Sequence, residues 1–221
     1  ILVPFFIFPL CYALYLSLWG GKRLLSGFIG LKNYLLAFEN PLFWQSMKVT
    51  FYYTVMTVPV TLIIGFISAY FLMRIIWGRA FFRVLYFIPY VTSTVAVAMV
   101  WRILYHPHIG FLNYVLQLVG LEPQKWLLEP RGILHILSGG LIGAKVGPSL
   151  ALVSIALFDV WHNFGFAVVV FLAGMSSLPR EFYEAGKIDG ANAIQMLFYI
   201  ELPLLSPTWL FLITVQLIRA L

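Results

Sequence analysis

Asp159, His162 and Asn163 stand three and four positions apart within Ser149 to Met175, a stretch that is otherwise almost wholly apolar. On a helix those spacings share one face. A carboxylate inside a lipid-buried helix costs about 2.5 to 3.5 kcal/mol and demands a cavity or a partner. Asp159 follows Ser149 by ten positions, so it lies about 15 Å in at about 1.5 Å per residue. Several chemistries fit. This face can line a path for hydroxyl-rich solutes, with the carboxylate of Asp159, the amide of Asn163 and the indole of Trp161 as contacts. Asp159 and His162 can also form a proton relay in an ion-driven carrier. The plain alternatives are a mutual Asp159–His162 pair or a bond to another helix. An acid–base enzyme fits worst, because no second catalytic carboxylate or nucleophile stands nearby.

A second constellation follows: Glu184-Ala-Gly-Lys-Ile-Asp-Gly190, nine residues, then Ile200-Glu-Leu-Pro203. It forms a polar hairpin between two apolar stretches. Pro179 can open its first helix. Glu181, Glu184 and Lys187 then fall on one side, with Phe182, Ala185 and Ile188 on another. Gly190 permits the turn. A second helix over Ala191 to Glu201 should stop before Leu202-Pro203, because the residue before a proline disfavours helix. So short a helix needs a surface or a partner's groove. Glu184, Asp189 and Glu201 offer acceptors for a partner's arginine.

This spacing resembles the cytoplasmic coupling loop of ABC-importer permeases: Glu-Ala-Ala, three residues, Gly, nine residues, Ile, one residue, Leu-Pro. Gly186 in place of Ala is the one departure. Ser177-Leu-Pro-Arg-Glu-Phe-Tyr183 and Asp189-Gly-Ala191 look like the sugar-type branch. Gly30-Leu-Lys-Asn-Tyr34, Asn40-Pro-Leu-Phe-Trp44 and Gly110-Phe-Leu-Asn113 also sit where similar permeases carry such residues. The resemblance implies an all-α polytopic membrane helix bundle of the type I ABC importer permease fold. It implies that Glu184, Ala185, Gly186, Asp189, Gly190, Ile200, Leu202 and Pro203 couple the chain to a separate ATPase. The implied partners are a second permease subunit, a cytoplasmic ABC ATPase dimer that handles ATP and Mg, and an extracytoplasmic solute-binding protein. This chain itself would carry no cofactor. Residues before Ile1 and a further span after Leu221 are also implied.

Composition agrees with a membrane setting. Hydrophobic residues make up 62% and charged residues 10%, against roughly a quarter charged in soluble domains. The net charge of +6 comes from scattered cations, which argues against nucleic-acid binding. Five segments approach the roughly 20 residues needed to cross hydrocarbon: Ile1 to Trp19, Val49 to Met73, Val84 to Trp101, Ser149 to Met175 and Leu204 to Leu221. The domain reading is residues 1–46 for the first span and its loop, and 47–221 for a permease core containing the hairpin 177–203. Arg74, Arg79 and Arg83 mark a cytoplasmic loop by the positive-inside tendency. Alternation then puts the hairpin on the same side of the cell (inner) membrane, with the amino end cytoplasmic.

The loops Gly20 to Lys48 and Tyr105 to Pro148 would lie outside, as candidate docking surfaces for the binding protein. Ile133 to Val146 should form a short interfacial helix. Pro89 with Tyr90, Thr92, Ser93 and Thr94 reads as a kink whose hydroxyls satisfy freed backbone groups; solute contact is the other reading. Cys11 stands alone and the histidines are dispersed, which rules out an intrachain disulfide and leaves no metal site. Gly139-Gly-Leu-Ile-Gly-Ala-Lys145 falls short of a phosphate-binding loop, so catalysis belongs elsewhere.

Overall fold

The computed structural model describes residues 3–20, 27–74, 78–144 and 146–221. Ile1, the loop cations Lys22 and Arg23, residues 75–77 and Lys145 lie outside the described residues. The chain divides into two compact units, Ile1–Val49 and Thr50–Leu221. The continuous helix α3 (Pro41–Arg74) runs through the division.

In the first unit a π-helical turn, Val3–Ile7, leads into α1 (Phe8–Ser17). An antiparallel pair follows, β1 (Trp19–Gly20) with β2 (Gly27–Phe28), and then α2 (Lys32–Glu39). These are the only strands among the described residues. Asn33 ties the pieces together: its amide donates to the Ser17 and Trp19 carbonyls at 2.8 and 3.0 Å. Asn40 accepts the Leu42 amide at 2.9 Å, which caps α3 just ahead of its first-turn proline.

In the second unit α3 and α8 (Leu150–Ser176) lie side by side in the same direction, and α12 (Ser206–Ala220) returns against them. Phe66, Phe171 and Trp209, one from each, meet with ring centroids 4.7–5.4 Å apart. Ala69, Leu72, Val168, Leu205 and Leu212 close the core around them. The fourth helix of the bundle, α4 (Arg79–Val91), packs even more closely on α8. Gly165 makes that approach possible, because a Cβ there would strike the Tyr86 carbonyl of α4. Small residues at such crossings let backbones approach closely in the absence of a hydrophobic drive between lipid-embedded helices.

The five expected spans are realised unevenly. Among the described residues α3 and α8 are each long and apolar enough to cross a membrane. Val84 to Trp101 is no single helix: it is α4 followed by α5 (Thr94–Leu104), bent by 93°. The break goes beyond the expected kink. Pro89 weakens the ladder, and at Thr92 the chain turns extended, its amide and hydroxyl both donating to the Ile88 carbonyl at 3.1 and 2.7 Å. The last span is likewise half of a bent pair, Ala193–Leu204 with α12, at 64°. The apolar helix Val3–Ser17 is shorter than either long span.

Replacing Gly165 by Ala should force α4 from α8 and cost about 1 to 3 kcal/mol, as overpacking does. A lowered thermal midpoint in detergent is the expected result, and an unchanged midpoint would remove this contact from the account.

Candidate functional site

Two polar features interrupt the apolar bundle. The first is the cluster around Asp159. A single guanidinium nitrogen of Arg219, Nη2, donates to both carboxylate oxygens at 2.7 Å. The Asn163 amide adds a third bond, to Oδ1 at 3.0 Å. Tyr53 of α3 also lies within hydrogen-bonding reach of Asp159. Three helices therefore converge on one carboxylate. The mutual Asp159–His162 pair is absent: His162 is buried and its Nε2 lies 3.5 Å from the Thr94 hydroxyl, beside the α4–α5 break. Asp159 and Asn163 are brought together, whereas Trp161 faces away. Trp161 packs on Trp101 at 5.4 Å and lines an apolar cleft of about 450 Å³ with Thr92, Val97 and Leu104. Two positions along a helix separate side chains by about 200°, given 3.6 residues per turn.

The second feature is the hairpin. Pro179 caps α9 (Arg180–Ile188) from an extended conformation, one position before the helix. Gly190 turns the chain at φ 76°, in the left-handed region that glycine enters without penalty. Asn192 and Gln195 form a reciprocal capping box that starts α10 (Ala193–Met196). The helix does not stop before Leu202-Pro203 as expected. It widens to a π-turn over Leu197–Glu201 and continues through α11 (Leu202–Leu204). Pro203 lacks the N–H that a regular ladder requires, and a π-bulge is a known way to accommodate such a gap.

Gly186 is buried where α9 leans on this second limb. An added Cβ would come within 2.6 Å of Met196 Sδ and 2.7 Å of Ile200 Cδ1. The departure from Ala in the coupling-loop pattern thus has a local cause, since the facing Met196 and Ile200 occupy the methyl's space. Ala185, Glu184, Asp189 and Pro203 are exposed, and Ile200 and Leu202 are half-buried. Glu201 departs from the sequence reading. It is 6% exposed, and Arg74 of the same chain pairs with it at 3.8 Å, so it is no acceptor for a partner. Burial pushes its carboxyl above the ordinary carboxylate range, while the Arg74 charge and a Tyr183 hydrogen bond pull it down. The Arg74–Glu201 contact also puts the carboxyl end of α3 and the hairpin at one end of the bundle.

At the other end, residues 105–144 and 146–148 fold on themselves. Buried Asn113 of α6 (Phe111–Leu118) binds the Pro107 and Gln124 carbonyls, the Gln124 amide and the Trp126 indole at 2.7–3.0 Å. The expected helix over Ile133 to Val146 is only α7 (Ile133–Leu137), followed by turns. Its loop closes where Gly132 bridges Ser149. Glu129 chelates Arg131 at 2.7 and 2.8 Å, and the guanidinium holds its carboxyl down to about 2.

Residues 61–221 match the family model described as the inner membrane component of binding-protein-dependent transport systems. The chain belongs to that family. The inner-membrane setting follows from it, as does the permease reading of the bundle. A probable ABC transporter permease protein of Sinorhizobium fredii is 34% identical over 203 residues, covering 90% of this chain and 60% of that protein. The trehalose/maltose transport system permease of Thermococcus litoralis is 29% identical, covering 100% and 70%. The arabinooligosaccharide transport system permease of Bacillus subtilis is 29% identical, covering 97% and 63%. The chain thus spans roughly two thirds of the length of such relatives. Among solved structures, a bacterial ABC transporter involved in alginate import superposes with a TM-score of 0.72 at 20% identity, covering 97% of this chain and 67% of that one. A likeness at that identity concerns the fold.

Removing one partner of the Asp159–Arg219 pair should cost about 1 to 3 kcal/mol, because the other is left unsatisfied. The double variant Asp159→Asn/Arg219→Met should recover much of that loss in a detergent unfolding series; strictly additive losses would show that the pair is not coupled. For Glu129 the folded value, about 2, lies below the ordinary 4.5, so its stabilisation is complete above about 4.5 and fades toward about 2. Exchange protection at Ala151, whose amide bonds the Glu129 carbonyl, should stay flat from neutral pH to about 4.5 and fall below it. Loss already at neutral pH would contradict this.

Proposed function

We propose that this chain is one transmembrane subunit of an ATP-driven, binding-protein-dependent importer of a carbohydrate-like solute, and that the hairpin 177–203 receives the stroke of a separate ATPase. One observation carries the reading. The apolar side of the hairpin is left uncovered by the bundle: Ile188 is 86% exposed and Tyr199 78%, with Ile194 at 67%. Yet the two limbs of the hairpin pack on each other at Gly186, and the capping box starts the second limb. An exposed apolar projection marks an interaction site, and Glu184 and Asp189 flank it as acceptors for arginine. The carbohydrate class is supported by relatives named for trehalose/maltose and arabinooligosaccharides, and the alginate transporter shares the fold.

The implied assembly pairs this chain with a second permease and two ATPase subunits, and the folded segment 105–148 meets a solute-binding protein outside. One of the solved relatives is in complex with a periplasmic protein carrying an alginate pentasaccharide. The amino end then lies in the cytoplasm. Asp159 and Asn163 remain the proposed polar edge of the solute path, and Trp161 would act from the neighbouring aromatic cleft, not beside the carboxylate. The ion-driven alternative is disfavoured, because Asp159 is neutralised by Arg219 and His162 is turned to Thr94, leaving no relay between them.

Gly190 has open space around it, so a side chain there acts only through its strained φ. Gly190→Asp should therefore leave the protein in the membrane while reducing copurification with an ABC ATPase subunit. An unchanged yield of that subunit, or none with the unaltered protein, would defeat the proposal.

A further inference from the structure

The hairpin's other acids face solvent, but Glu201 is withdrawn from it and held from two directions. Arg74 Nη2 lies 3.8 Å from its Oε1, and the nearby Tyr183 hydroxyl on α9 favours the charged form of the same carboxylate. Arg74 is itself fixed. It is the last residue of α3, its guanidinium lies 3.5 Å above the Tyr70 ring, and its Nη1 reaches the Tyr70 carbonyl at 3.4 Å. Stacking on an aromatic face restrains a side chain that would otherwise sample many rotamers. A buried carboxylate that loses the charge of Arg74 is left unpaired, which is costly out of water. The two limbs of the hairpin and the inner end of α3 thus share one polar joint.

We propose that Glu201, with Arg74 and Tyr183, is a positioning joint that makes the hairpin and α3 move as one body, so that displacement of the hairpin is delivered to α3. This rests on the hairpin being the ATPase lever. The consequence reaches far. From Arg74 back to Tyr53 is 21 positions (74 − 53), or about 32 Å at about 1.5 Å per residue, and Tyr53 touches the Asp159 cluster. The inner end of α3 and the polar cluster between the spans are therefore connected by one continuous helix. A coupling-loop residue left unspecified by the family pattern, the one between Ile200 and Leu202, acquires a role.

The test uses the assembled transporter in lipid nanodiscs, in a Cys11→Ser background, with spin labels on Arg180→Cys and Phe71→Cys. Both positions are exposed and lie outside the joint. The distance between labels is measured without nucleotide and after trapping with ATP, Mg and vanadate. The parent protein should give one unshifted distribution in both states. Glu201→Gln should add a displaced second population on trapping, and the charge exchange Arg74→Glu/Glu201→Arg should suppress it. A purely structural anchor would not produce a nucleotide-dependent shift. Should Glu201→Gln fail to assemble, Tyr183→Phe, which removes one hydroxyl, decides the matter by the same measurement. An unshifted distribution in the assembled variant, or a shift already present in the parent, overturns the joint alone. Failure of the parent complex to trap nucleotide overturns the lever reading beneath it.

Discussion

A carboxylate withdrawn from water must find a cation or enough donors to stay charged, and this chain meets that demand three times. Of its eight acidic residues, three are shielded: Glu129, Asp159 and Glu201, with side chains 8–16% exposed. Each is paired with an arginine. Glu129 takes Arg131 from its own loop, Asp159 takes Arg219 from α12, and Glu201 takes Arg74 from α3. The three pairs are spread along the bundle, one in the segment 105–148, one between spans and one at the hairpin. Three of the five remaining acids, Glu181, Glu184 and Asp189, are exposed on or beside α9. Shielded charge thus fixes the architecture, while exposed charge collects on the hairpin.

Packing supports the same division. α8 is the common neighbour. It carries Asp159 and Asn163 toward α3 and α12, the indole of Trp161 toward Trp101, and Gly165 against α4. It then passes into the hairpin through Ser177 to Pro179 with little intervening loop. Bent elements surround it, α4–α5 at 93° and the α10–α12 limb at 64°. A long, tightly packed helix thus stands between bent ones.

Much of this was legible in the residues. The hairpin's existence, its polarity and its turn at Gly190 follow from spacing and from what glycine allows. Asn33, Asn40 and Asn113, which sit in short family-like runs, prove to be local ties for α1, α3 and the segment that follows α5. Long-range pairing was not legible. Arg219 lies 60 positions from Asp159, and no local pattern joins them. The available signal was that each is a lone charge in an apolar stretch, and opposite charges in lipid seek each other. Glu201 was misread as a docking acceptor because periodicity does not reveal that Arg74 arrives beside it. Pro203 was misread as a stop because a π-turn can absorb the missing donor. The break at Thr92 exceeds a kink because the backbone there turns extended before α5 begins.

The central claim is that the uncovered hairpin tip is seated in an ATPase subunit. Its most direct test is disulfide cross-linking from Ile188→Cys, with Cys11→Ser, to cysteines placed along the ATPase surface of the purified transporter. A cross-link confined to one cleft of the ATPase is the expected result. Reaction only with this chain's own bundle, or free labelling of the new cysteine by a water-soluble maleimide in the intact complex, would contradict it.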